Sequence, residues 1–241
     1  MPSPASHMRA FMSIHPLRQT GPALRSFKVQ AHPAGPAAER SVRRPEYVLS
    51  YMKTPAVIAV VGLPGAGKTE ATTRFVEQQF VRVGFNDIFY EEFDRWGLER
   101  NESNEQFVRV EMRNKFGRTI LAERALPIIE QALHEGKHVL IESLYAWWDY
   151  TFLKERLGER FKTLAIYAPP ALRYARLAVR PERPYSEELA HSRDYAQIES
   201  LQQAGPIAMA DWTIQSTGTK EELHAAVDAL IQVIVQGGVG K

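Results

Sequence analysis

From residue 55 onward the chain alternates short, unbroken apolar runs with longer stretches in which apolar positions return every three or four residues. The runs lie at 56–61, 80–85, 138–141, 163–167 and 212–214. Runs of this length bounded by polar residues predict strands buried on both faces. The longer stretches, at 68–79, 104–116, 119–134, 148–157, 171–179, 186–203 and 220–235, predict helices. Ser103 is placed to cap the second of these, with Gln106 completing a capping box. Pro127 falls inside the third and predicts a kink or a break there, because proline removes one helical hydrogen bond. Strands that alternate with helices predict a parallel sheet covered on both sides. No internal repeat is visible.

Residues 1–54 break this pattern. They hold seven of the 15 prolines and show no sustained apolar period, which predicts a disordered or weakly ordered extension, whether a leader or a stretch ahead of a native start at Met52. The expected division is therefore 1–54 as extension and 55–241 as the folded domain. Charge follows the same boundary: the extension carries +6, and the remainder carries −4. The basic balance of the whole chain therefore says little about the folded part, and it disfavours a nucleic-acid partner. The absence of cysteine excludes disulfides and thiolate chemistry and fits a reducing, cytoplasmic setting. No apolar run reaches the length that spans a membrane.

The first apolar run leads into Gly62-Leu63-Pro64-Gly65-Ala66-Gly67-Lys68-Thr69, followed by Glu70. A strand, a glycine-rich turn of this spacing and a helix opening on Lys-Thr together predict a phosphate cradle. The glycines let successive N–H groups turn inward, and the helix offers its positive end to the same anion. Lys68 would reach the β- and γ-phosphates, and the Thr69 hydroxyl would ligate Mg²⁺.

Other features sort the uses of such a cradle. Asp94-Arg95-Trp96-Gly97 matches a GTPase switch element, but no buried strand leads into it, and Asn114-Lys115-Phe116-Gly117 lacks the carboxylate that reads guanine. Glu142 ends the run at 138–141, where a carboxylate can hold Mg²⁺ or its water. Arg173, Arg176 and Arg180 recur at helical spacing, and Pro181, Arg183 and Pro184 follow. This predicts an arginine face and a short lid over the phosphates, with Arg176, Arg180 and Arg183 acting on the transferring group. Seven scattered histidines show no metal-ligand spacing.

Several stretches ("GLPGAGKTEA", "MRNKFG", "LIESLYAWWDYTFLKE", "APPALRYARLAVRPERP", "SRDYAQIE", "GPIAMADWTI") together resemble the P-loop kinases of the nucleoside-monophosphate-kinase type. The likeness runs to dephospho-CoA-kinase-like and adenylate-kinase-like proteins, often labelled AAA family ATPases. It implies a three-layer α/β/α P-loop NTPase fold around a five-stranded parallel sheet, with an acceptor-binding helical region and a short Arg-rich lid. It implies ATP and Mg²⁺. It also implies that Asp87 faces the acceptor as an orienting group or general base, that Arg113 grips the acceptor's phosphate, and that Arg193 and Asp194 lie beside the lid. Two positions depart from that pattern: Glu142-Ser143 stands where Asp-Gly is frequent, and Gln215-Ser216 where an asparagine lies near adenine. Among the aromatics Tyr145, Trp147, Trp148, Tyr150 and Phe152, stacking on a base competes with plain packing. Tyr145 is the member assigned to the acceptor site.

The expected activity is transfer of the γ-phosphoryl of ATP to a small nucleotide-like acceptor, dephospho-CoA or a nucleoside monophosphate, by a monomer or weak homo-oligomer. The alternatives are a regulatory ATP-binding or ATP-hydrolysing protein with no acceptor, a protein that only binds nucleotide, and a kinase acting on nucleic-acid ends or modified bases.

Overall fold

The structure, a computed structural model, describes residues 55–236. The expectations for residues 1–54 lie outside the described residues. Five strands, β1 (Val57–Val61), β2 (Val81–Gly84), β3 (Val139–Glu142), β4 (Phe161–Tyr167) and β5 (Trp212–Gln215), form one sheet in the order β2-β3-β1-β4-β5. Every pairing is parallel. All five residues of the central strand β1 are buried, as the unbroken apolar run requires of a strand covered on both faces.

The period of two along β1 divides the core. Ile58 and Val60 face α1 (Lys68–Glu77) and α9 (Lys220–Val235), packing with Phe75, Leu223, Val227 and Ile231. Val57, Ala59 and Val61 face the opposite layer, against Ala125 and Ile129 of α4 (Ile120–His134) and Leu153 of α5 (Trp147–Leu157). The α/β/α layering follows. A third cluster joins Phe89 and Phe93 of α2 (Phe85–Arg95) to Val108 and Met112 of α3 (Glu102–Phe116) and Ile120 of α4. After β4 come α6 (Pro170–Ala178), α7 (Glu187–Glu199) and α8 (Ala204–Ala208). The chain leaves β1 toward the β2 edge and leaves β3 and β4 toward the β5 edge. The loops therefore part above the carboxyl end of β1, where open parallel sheets bind ligands.

Four local expectations need correction. Ser103 does not cap α3: Asn101 does, its side chain accepting from the Asn104 amide. Of the kink or break expected at Pro127, the break does not occur, since α4 runs through it. The stretch 186–203 is not one helix, since α7 ends at Glu199 and α8 follows as a separate element. Helix α2 was not expected. Its Asn86-Asp87 pair reads as a turn, but Phe85, Ile88, Phe89 and Phe93 bury one helical face.

Candidate functional site

Gly62, Gly65 and Gly67 all adopt positive φ, and two of them also face close neighbours. A Cβ at Gly62 would sit 2.4 Å from the Ile166 carbonyl oxygen, and one at Gly65 would sit 2.6 Å from that of Arg173. The loop is thus wedged between β4 and α6. Gly67 begins α1 with no side-chain cap, so the helix offers its unpaired N–H end to the loop's interior. Gln203, fully buried, donates from Nε2 to the Gly62 carbonyl at 3.1 Å and holds the loop from below.

A cleft of about 810 Å³ opens above this loop. Pro64, Gly65, Gly67, Lys68, Thr69 and Glu70 line it, while Ala66 is buried behind it and Gly62 and Leu63 support it from outside the lining. Lys68 Nζ donates to the Leu63 carbonyl at 3.1 Å, closing the loop on itself. Burial, reinforced by the Arg173 guanidinium and opposed by Asp194 and Glu142, pulls the Lys68 ammonium down to about 8. Glu70 is drawn toward α9, pairing with Lys220 at 2.7 Å and meeting His224 at 3.1 Å. The Lys220 bond holds its carboxyl below the ordinary range.

The predicted arginines divide. Arg176 and Arg180 line the cleft, and Arg176 donates to Ser216 Oγ at 3.1 Å. Arg173 does not share their face. It is 3% exposed and forms a bidentate pair with Asp194 at 2.8 and 2.6 Å, while also donating to the Pro64 carbonyl. This pair ties α6 and α7 to the phosphate loop. Arg183, at φ 51°, lies outside the cleft lining.

Glu142 lines the cleft, with Oε2 accepting from Arg82 Nε at 2.6 Å. The same guanidinium bonds Asp87 at 2.6 Å, and Asp87 itself does not line the cleft. Asn86, its neighbour, does. Asn86 Nδ2 donates to Ser143 Oγ at 3.1 Å, and the Tyr145 hydroxyl lies 3.1 Å from the same oxygen. Arg113 is also absent from the lining and sits over the Trp148 ring. The arginine of α3 whose electrostatic neighbours include Tyr145 is Arg109, which lies over Phe89 and is pushed below its ordinary range by burial. Of the aromatic cluster, only Tyr145 lines the cleft. Trp147 stacks on Tyr150, which is part of the core, and Phe152 packs against that core.

Residues 58–199 match the family AAA_18, described as an AAA domain. The chain belongs to that AAA domain family. Its phosphate loop, helix α1 and Glu142 all fall within the matched span. The chain is also 29% identical over 184 residues to the UPF0200 protein of Thermococcus gammatolerans, covering 75% of this chain and 96% of that one. It is 29% identical over 182 residues to the UPF0200 protein of Thermococcus onnurineus, covering 74% and 98%. Among solved structures, shikimate kinase from Bacteroides thetaiotaomicron overlays with a TM-score of 0.49 at 14% identity, over 75% of this chain and 98% of that one.

Sequence reasoning missed Arg82, Asn86, Arg109 and Gln203. None of them sits in a recognisable motif, and each acquires its role through a partner distant in sequence. Ser143 and Ser216 stood out only as departures from a familiar pattern.

Proposed function

We propose that this protein is an ATP-dependent phosphotransferase acting on a small nucleotide-like acceptor. One observation carries the reading: a phosphate cradle, its lysine and two arginines, Arg176 and Arg180, line one cleft together with Glu142 and a hydrogen-bonding group of Asn86, Ser143 and Tyr145. Its volume lies toward the upper part of the range for small-molecule pockets, which leaves space beyond a triphosphate.

In this reading the loop amides and Lys68 hold the β- and γ-phosphates. Arg176 and Arg180, which line the same cleft, supply always-charged donors where negative charge builds up during transfer. Arg183 would join them only if the segment after α6 closes. The oxygen donors suit Mg²⁺, which takes few protein ligands and keeps several waters. Thr69 would ligate it directly, and water would fill most of its other positions. Bound there, Mg²⁺ would neutralise charge on the transferring phosphate. Dephospho-CoA and the nucleoside monophosphates are the acceptors to test first. Arg109 neighbours Tyr145 but, like Arg113, lies outside the cleft lining, so either would reach an acceptor's anionic group only from behind the cleft wall.

Replacing Lys68 with alanine removes a cation facing the phosphates and little packing. The Lys68→Ala variant should retain its circular dichroism spectrum and lose transfer; undiminished transfer would sink this mechanism.

A second reading, acceptor-independent ATP hydrolysis, is favoured by the placement of Asp87 and Arg113. Both lie outside the cleft, Asp87 in an ion pair and Arg113 over an indole ring.

A further inference from the structure

Ser143 is one of four non-glycine residues with positive φ among the described residues, at 67°. Strain of this kind is kept where the surrounding structure over-determines it, and here two hydrogen bonds do so. The Asn86 amide nitrogen can only donate, so it takes one lone pair of Ser143 Oγ. Ser143 and Tyr145 share a single hydrogen bond between their two hydroxyls. Two hydroxyl protons are present and one is used, so the pair keeps one O–H donor for the cleft that both residues line. Beside them Glu142 lines the same cleft, and its Oε1 is left when Arg82 takes Oε2. A donor and a negatively charged acceptor therefore stand together at the end of β3.

We infer that the group accepting the phosphoryl is an alcohol hydroxyl, oriented by Ser143 and Glu142. This rests on the phosphotransferase reading and deepens it. An alcohol oxygen both accepts and donates: it takes the O–H of the Ser143–Tyr145 pair on one lone pair and gives its own proton to Glu142. Its other lone pair forms the new P–O bond, the bond from the γ-phosphorus to the bridging oxygen breaks, and ADP leaves with that electron pair. A phosphate oxygen as nucleophile has no proton to give and would meet the Glu142 carboxylate as a like charge. The site thus fits an alcohol and discriminates against the phosphate of a nucleoside monophosphate. Ser143 is a positioning residue by this account, with Asn86 fixing its lone pair.

The test uses the full chain, γ-labelled ATP and Mg²⁺, with dephospho-CoA, adenosine and AMP offered separately. The expected labelled product is a phosphomonoester, which survives hot dilute acid. A product whose label is released by acid is a phosphoanhydride and overturns the hydroxyl assignment while leaving the phosphotransferase reading standing. No labelled acceptor overturns that reading, and this assignment falls with it. Ser143→Ala and Ser143→Gly provide the second arm. Both remove the hydroxyl, but glycine accepts the positive φ and alanine does not, so the glycine variant should melt a few degrees higher, roughly what its better fit implies. Both should nonetheless lose transfer by about tenfold to a hundredfold at unchanged affinity for a fluorescent ATP analogue. Parental rates in either variant would overturn the role of Ser143, because a backbone effect alone would separate the two.

Discussion

Nucleotide binding should take up a proton, and the amount is fixed by Lys68. Without nucleotide, burial pulls its ammonium down to about 8. A triphosphate beside Nζ supplies the opposite charge that burial withheld, so the bound state returns toward or above the ordinary lysine value of about 10.4. The direction follows: the bound form holds the proton more tightly, so binding is strongest below pH 8 and weakens as pH rises through it. At pH 8 about half a proton should enter per nucleotide bound, and between pH 7 and pH 9 affinity should fall about tenfold, or ~1.4 kcal/mol. Titration calorimetry at pH 8 in two buffers of different ionisation enthalpy measures the proton directly. Fluorescent-nucleotide titrations across pH 7–9 measure the affinity. Lys68→Arg, whose charge does not titrate in this range, should flatten the profile. Equal affinity at pH 7 and pH 9 in the parent, with no buffer-dependent heat, would mean that Lys68 takes up no proton on binding.

Other consequences concern stability. Arg173→Ala leaves Asp194 buried without its bidentate partner and should cost about 3–5 kcal/mol in urea unfolding, whereas removing both charges as Arg173→Met with Asp194→Leu should restore much of the loss. Asp149 is buried with Oδ1 unpartnered, and burial, only partly offset by Arg113, pushes its carboxyl up to about 7. Its folded value exceeds its unfolded one, so this group favours the folded state below about pH 4 and withdraws that support as pH rises toward 7, by up to about 1.4 kcal/mol per unit. Asp149→Asn should remove that slope from stability measured between pH 4 and 7. Gly65→Ala should abolish nucleotide binding in a fluorescence titration, since the methyl group would strike the Arg173 backbone.

Much of the architecture is legible in the sequence because its strongest signals are local. The run ending at Val61, the glycine spacing and the helix opening on Lys68 each specify their own geometry, and the structure assembles them as expected. The five apolar runs appear as β1 to β5 with ends shifted by at most two residues. The 220–235 helix begins at a Thr219–Glu222 capping box and packs on α1. The misreadings share a cause. Arg173 looked like its neighbours Arg176 and Arg180 because spacing alone cannot reveal that Asp194, 21 residues away, draws it inward. Asp87 and Glu142 looked independent until Arg82 of β2 joined them. The register that sets Gly84 opposite Glu142 brings these side chains together, and register is a property of the sheet. Helix α2 could have been found, since Phe85, Ile88, Phe89 and Phe93 follow a helical period, but Gly84-Phe85-Asn86-Asp87 carries turn-forming residues at its start.

The central claim is that the cradle delivers a phosphoryl group to a second molecule in the same cleft. The most direct measurement follows the label of γ-labelled ATP under single-turnover conditions with dephospho-CoA, nucleoside monophosphates and nucleosides present. Label should enter an organic acceptor faster than inorganic phosphate forms. Label released only as inorganic phosphate, at a rate indifferent to every acceptor, would contradict it.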